Sequence, residues 1–250
     1  MSVTFDFTGK NFVVVGATSG IGKQAAIELV DGGANILAIG RNIERLDALK
    51  NINPQKISAK NLDVTCATAE DWVDALENFK NKFGKIDGGI YSAGIYGLTP
   101  LNSFDTELAR KIFDTSFWGM VNFLQVATKK IFSNAKSSFV VMSSIAASYG
   151  SKGLFAYAAA KAAVQAAIKP FAKEIIKNGH RINSVAPAAV QTEMLENNFI
   201  SEDFLSRQIL GVATPADITG LILFLLSSRA DLITGQNFFV DGGYIVGAYV

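Results

Sequence analysis

The sequence predicts an α/β chain with a doubly wound Rossmann fold, a parallel sheet flanked by helices on both faces. Three observations carry this. Short apolar, β-branched runs alternate with longer stretches of helical period. A glycine-rich turn joins the first such run to the first helix. The order strand then helix persists to the end of the chain, and parallel neighbours need such crossovers.

Seven strands are predicted, at residues 12–15, 35–39, 56–62, 88–91, 138–142, 181–185 and 237–240. Helical periods occupy 21–31, 43–50, 69–83, 104–133, 155–177 and 215–228. No composition shift, Pro-rich linker or internal repeat divides the chain, so residues 1–250 read as a single dinucleotide-binding and catalytic domain. The one long stretch between a strand and the next confident helix is 188–214. Ligands of doubly wound sheets bind beyond the carboxyl ends of the strands, so 188–214 is expected to be a substrate-binding loop or lid.

Composition bounds the function. With 49% apolar and 18% charged residues in 250, the chain is too hydrophobic to be disordered. A net charge of +1 without a long run of either sign argues against nucleic-acid and membrane-surface partners, leaving a small molecule. The single cysteine, Cys66, has no Cys or His cluster around it, so no metal site and a reducing compartment are expected. Residues 1–7 lack the basic-then-apolar pattern of a secretory signal, and the most apolar run, 218–226, is too short to span a bilayer. A cytoplasmic protein is the expectation. Low charge also hints that apolar surface is covered in a homo-oligomer.

The first strand runs into Gly16-Ala17-Thr18-Ser19-Gly20-Ile21-Gly22 and then a helix. Glycines permit a sharp turn and let a pyrophosphate approach amides at the positive end of the helix. A glycine-rich turn alone is equally a plain turn; its place after strand one favours a nucleotide. Strand two ends in Gly40-Arg41, without the carboxylate that binds a ribose 2′-hydroxyl. Arg41 suits a 2′-phosphate, which selects NADP(H) over NAD(H), although it would also serve as a solvated helix start. Asp63, after strand three, is open to two readings, an acceptor for an adenine amino group or a turn cap.

Tyr157 and Lys161 lie four apart in Tyr-Ala-Ala-Ala-Lys, within a run of strong helix formers, so they share one helix face. An ammonium beside a phenol is expected to lower the phenol pKa toward the working range, where it gives or takes a proton. Ser144, at the end of strand five, is a candidate to hold a substrate oxygen over the same cleft. By itself the Tyr and Lys pair also suits an unremarkable exposed helix face. The joint pattern decides.

That pattern resembles the short-chain dehydrogenase/reductase family over essentially the whole chain. The Gly16 to Gly22 segment, Asp63-Val64, Ser143-Ser144, Tyr157 to Lys161, the Pro187 region and the ending from Ile233-Thr234-Gly235 to Asp241-Gly242-Gly243 stand in the family's order and approximate spacing. The resemblance implies a sheet of order 3-2-1-4-5-6-7, carbonyl–alcohol interconversion and frequent homotetramers. It implies that Tyr157 protonates the carbonyl oxygen, Ser144 bonds the same oxygen, and Lys161 binds the nicotinamide ribose while depressing the tyrosine pKa. Gly16, Thr18, Ser19, Gly20, Ile21 and Gly22 would hold the phosphates. Asp63 and Val64 would contact adenine, Ala93 and Gly94 would back the cofactor, and Pro187, Val190 and Thr192 would lie along it, Thr192 at the carboxamide.

Two positions depart from the family. Tyr91-Ser92-Ala93-Gly94 replaces the usual Asn-Asn-Ala-Gly, and Ser116 stands where a fourth catalytic residue, an Asn, usually holds a water on the proton path to the lysine. A milder change is Pro187-Ala188 for Pro-Gly. These motivate an alternative, a dinucleotide-binding regulatory protein of the same fold with little or no turnover. A methyltransferase on the same fold is disfavoured by the glycine spacing and the Ser, Tyr and Lys set. His180, the only histidine, is read as a helix-end residue away from the site, Cys66 as an inert thiol, and Phe113, Phe117 and Trp118 as core or subunit interface. The substrate pocket is expected to be walled by the loop after Ser144, residues 95–101 and the lid, whose Met194, Leu195, Phe199 and Phe204 suggest an apolar substrate.

Overall fold

The structure, a computed structural model, describes residues 4–196, 198 and 201–247. Residues 1–3 of the amino-terminal segment and Phe199 of the lid lie outside them. Seven strands, β1 (Asn11–Val15), β2 (Asn35–Gly40), β3 (Ile57–Asn61), β4 (Ile86–Tyr91), β5 (Ser133–Met142), β6 (Arg181–Pro187) and β7 (Asn237–Val240), form one parallel sheet in the order β3-β2-β1-β4-β5-β6-β7. The order in which strands are added reverses between β1 and β4, which opens a crevice at the carboxyl edge, the place where such sheets take ligands.

Helices cover both faces. These are α1 (Gly20–Asp31), α2 (Ile43–Ile52), α3 (Ala69–Phe83), α4 (Thr106–Phe113), α5 (Gly119–Ala127), α6 (Phe155–Ile175), α7 (Glu193–Glu196), α8 (Glu202–Ser206), α9 (Pro215–Leu226) and α10 (Tyr244–Gly247). Alternate residues of β1 serve two cores. Phe12 and Val14 pack with Leu29 of α1, Leu46 of α2 and Ile222 of α9, whereas Val13 and Val15 pack with Trp72 of α3, Phe123 of α5 and Ile168 of α6. This two-sided burial explains why β1 reads as an unbroken apolar run. Phe123 sits among Trp72, Tyr91 and Phe139, with ring centres 5.4, 6.2 and 6.3 Å away, and its truncation to alanine should cost about 3–5 kcal/mol.

Two elements differ from the sequence reading. The single helix expected over 104–133 is α4, a widened turn at Asp114–Trp118 and α5, and β5 already begins at Ser133. The stretch Ser133 to Ser137 is too polar to read as a strand, yet Ser133 pairs with Ile86 across a register shift, and Lys136 takes φ 65°. Bulges of this kind break the alternation that a sequence reading relies on. Within 188–214, α7 and α8 are two short helices, and Val190 bridges to Ala213.

Candidate active site

A cleft of about 700 Å³ opens at the carboxyl ends of β1, β2, β4, β5 and β6. Gly16 ends β1 with φ +83°, and its N–H donates to the Ile39 carbonyl at 2.8 Å. A Cβ there would stand 2.6 Å from the Ala93 nitrogen, so only glycine lets the loop after β4 come this close. Gly22 is buried where α1 packs on the Gly16 carbonyl; it does not face the cleft. Ser19 is the N-cap of α1, but its side chain makes no capping bond. Its hydroxyl and the first-turn amides are thus free at the helix's positive end, and Gly16, Thr18, Ser19, Gly20 and Ile21 line the cleft there.

At the far mouth, Arg41 is half exposed and its Nη1 lies 3.7 Å from Asp63 Oδ2. Asp63 caps a turn: its Oδ1 accepts from the Thr65 N–H at 2.9 Å and the Thr65 hydroxyl at 2.8 Å. Burial pushes the Asp63 carboxyl up, but the Thr65 bonds and the Arg41 charge outweigh it and hold the group below its ordinary range. Of its two sequence readings, the turn cap is the contact present; Val64 beside it lines the cleft.

Ser144 follows β5, and its Oγ accepts from the Ala146 N–H at 3.2 Å. Tyr157 lies in the first turn of α6 and Lys161 one turn on, both buried and both lining the cleft. Lys161 Nζ lies 5.8 Å from the centre of the Tyr157 ring and donates to the Met142 carbonyl at 3.0 Å. The expected acidified phenol is not what this arrangement gives. Burial raises the Tyr157 pKa to about 12, a Ser144 hydrogen bond works against that, and Tyr96 adds to it. Lys161 is not among the causes; burial lowers its own pKa to about 8. The sequence placed the ammonium correctly on the helix face but could not register how dry that face is.

Ser116 sits in the widened turn, where the Gly119 N–H reaches back five residues to the Asp114 carbonyl. Such turns recur at functional sites. Its Oγ is buried without a partner. The space between it and the lysine is kept by Gly94: a Cβ at 94 would lie 3.2 Å from Lys161 Nζ and 3.7 Å from Ser116 Oγ. Tyr91, the other departure, is buried and donates to the Thr115 carbonyl at 2.6 Å. Ala93, Gly94, Pro187, Val190 and Thr192 complete the long side of the cleft, and the Thr192 hydroxyl donates to the Val190 carbonyl at 3.2 Å.

An uncapped helix end, a free serine hydroxyl, a glycine-walled approach and a buried unpartnered Ser116 are what a dinucleotide would use, and these residues fit one. Tyr96 and Tyr149 reach the cleft from residues 95–101 and the loop after Ser144, the stretches expected to wall the substrate pocket, although no motif singles out either ring; Tyr244, near the end of the chain, is the aromatic that sequence reasoning missed. His180 lies before β6, buried against Phe139, and burial lowers its pKa. Cys66 is exposed in the loop after β3, and Trp118 is half exposed. Among the described residues, no three His, Cys, Asp or Glu side chains are grouped for a metal, and no helix is long and apolar enough to cross a membrane.

Residues 16–245 match the family described as Enoyl-(Acyl carrier protein) reductase. The chain is 32% identical over 244 residues to 3-oxoacyl-[acyl-carrier-protein] reductase FabG of Thermotoga maritima, covering 95% of this chain and 98% of that one. It is 28% identical to D-erythrulose reductase of Gallus gallus, over 98% of this chain and all of the other. The solved structure of ElxO with NADP bound superposes with a TM-score of 0.86 at 28% identity, over 95% and 99% of the two chains. With this sheet order and this cleft, the chain belongs to the short-chain dehydrogenase/reductase family of oxidoreductases.

Proposed function

We propose that the protein is an NADP(H)-dependent carbonyl reductase in which Tyr157 moves the proton. The observation that carries the reading is the convergence of Ser144, Tyr157 and Lys161 in one cleft with the positive end of α1. Gly16, Thr18, Ser19, Gly20 and Ile21 hold the cofactor's diphosphate, and Gly22 lets α1 pack closely enough to do so. Arg41 pairs with the 2′-phosphate. Asp63 and Val64 flank adenine, Ala93 and Gly94 back the dinucleotide, and Pro187, Val190 and Thr192 hold its nicotinamide end. When bound, the nicotinamide supplies the hydride.

The remaining chemistry belongs to the chain. Ser144 Oγ donates to the substrate oxygen. With its pKa at about 12, Tyr157 is fully protonated at neutral pH and so arrives as an acid, the state that reduction requires. Once the proton leaves, the phenolate is stabilised by the Ser144 hydrogen bond, and the Lys161 ammonium, which keeps its own proton below about pH 8, holds the nicotinamide ribose. Ser116, through a water, returns a proton toward Lys161. The segment 188–214 closes over substrate with α7 and α8, residues 1–250 act as one domain, and the chain works as a cytoplasmic homo-oligomer that covers Trp118.

The test is NADPH consumption by purified protein with a panel of carbonyls. Tyr157→Phe should lose about 10²–10⁴-fold in kcat, the range of one acid–base group, while still binding NADPH. An unchanged Tyr157→Phe rate ends this mechanism. The second reading, a regulator without turnover, draws on the unpartnered Ser116 Oγ and predicts tight NADPH binding with no consumption.

A further inference from the structure

Along the same cleft lies a group of aromatic rings that the reductase reading leaves without a task. Tyr96 packs on the Tyr157 ring with centres 5.3 Å apart. Tyr149 meets Tyr244 edge-on at 4.9 Å, and Phe204 of α8 meets Tyr244 at 4.6 Å. All of them line the cleft. Rings arranged edge-on and tilted offer faces and edges to a flat apolar body, and each such contact adds to simple burial.

The charges nearby point the same way. Arg207, whose guanidinium lies over the Tyr149 ring, is engaged by its own chain at the surface: Nη1 donates to the Tyr149 hydroxyl at 2.5 Å and Nη2 pairs with Asp203 at 3.0 Å. It holds Tyr149 in place and is not free for a ligand anion. The two carboxylates that line the cleft, Asp203 and Glu193, are the partners of Arg207 and Arg45. Lys152 is exposed at the rim, where solvent and salt screen it. Apart from Lys152 at the screened rim, the charges beside these rings are paired with one another, so the rings and not a charge offer a substrate its main contact.

We infer that the substrate is an uncharged ketone with a flat apolar body, aryl or alicyclic, held against Tyr96, Tyr149 and Phe204, with the buried Tyr244 backing the last two. The inference rests on the reductase reading and narrows it away from thioesters of anionic carriers and from small polyhydroxy ketones. The test compares 1-tetralone, dihydroxyacetone and acetoacetyl-coenzyme A as NADPH-consuming probes. We expect kcat/KM for 1-tetralone to exceed both others by about tenfold or more, the effect of one good apolar contact. In Phe204→Ala the ratio of 1-tetralone to dihydroxyacetone should fall about tenfold, mostly through KM. Equal or greater kcat/KM for either polar probe, or an unchanged ratio in Phe204→Ala, overturns the inference. Calorimetric titration of 1-tetralone into the NADP-loaded protein separates the two levels. Binding without NADPH consumption would sink the reductase reading and keep the aromatic site; consumption of polar probes without 1-tetralone binding would do the reverse.

Discussion

The Tyr91 hydroxyl donates to the Thr115 carbonyl at 2.6 Å, tying the end of β4 to the widened turn that carries Ser116. The departures at Tyr91 and Ser116 therefore belong to one physical unit. Tyr91→Phe keeps the ring among Phe123 and its neighbours but deprives a buried carbonyl of this donor, at a cost of about 1–3 kcal/mol. Urea denaturation should register that loss, and kcat should fall several-fold with KM little changed, because the turn and not the substrate is disturbed. A variant with normal stability and normal kcat would show that the tie is idle.

Arg41 is half exposed and held only loosely, 3.7 Å from Asp63, so it is available to a phosphate at small cost. A charge-assisted bond is worth about 1.5–3 kcal/mol, or roughly ten- to a hundredfold in affinity. Arg41→Ala should weaken NADPH by that factor and leave NADH nearly unchanged, read by fluorescence titration of both. Equal affinity of the parent protein for the two cofactors would refute the selectivity.

Two glycines should answer differently to alanine. At Gly16 the backbone is left-handed and the new Cβ would strike the Ala93 main chain, so Gly16→Ala should destabilise by about 1–2 kcal/mol from the backbone alone. At Gly94 the new methyl meets the flexible end of Lys161, so Gly94→Ala should melt near the parent temperature yet lose much of its turnover. Thermal melts beside kcat decide it; a Gly94→Ala protein with parental turnover would show that the space by Ser116 and Lys161 has no role.

These cases show how far the sequence could be read. The strands, the glycine turn and the places of Ser144, Tyr157 and Lys161 were legible, since each rests on a short-range signal: an apolar run, a spacing of four, a turn that needs glycine; the sheet order has no such local signal and came only with the family resemblance. The break between α4 and α5 was not, because 104–133 keeps a helical period through a turn that only tertiary contacts widen. Nor was the meeting of Tyr244 with Tyr149, which no periodicity relates, although the stretches that carry Tyr96 and Tyr149 read as walls of the pocket. The direction of the Tyr157 shift was misread for the same reason: burial is a property of the packed molecule, and here it is the leading cause.

Lys161 turns that burial into a pH test. Its pKa in the fold is about 8 against an ordinary value of 10.5, so below about pH 8 it is protonated folded and unfolded alike, and the fold bears the full penalty. At 1.36 kcal/mol per unit this is about 3 kcal/mol. As pH rises from 8 toward 10.5 the folded state releases its proton before the unfolded chain does, and the penalty is relieved. Lys161→Met should therefore gain stability over the parent near pH 7 and lose most of that advantage by about pH 10, before Tyr157 contributes. Tyr157 has the opposite sign: its pKa is raised to about 12, so its stabilisation is present below about pH 10 and is lost as pH climbs through 12. Urea midpoints of the two proteins at both pH values measure the difference, and an equal gain at each would mean that Lys161 keeps its ordinary pKa. Turnover should follow the same proton, with kcat/KM for reduction declining above about pH 8 as the Lys161 charge that holds the nicotinamide ribose disappears.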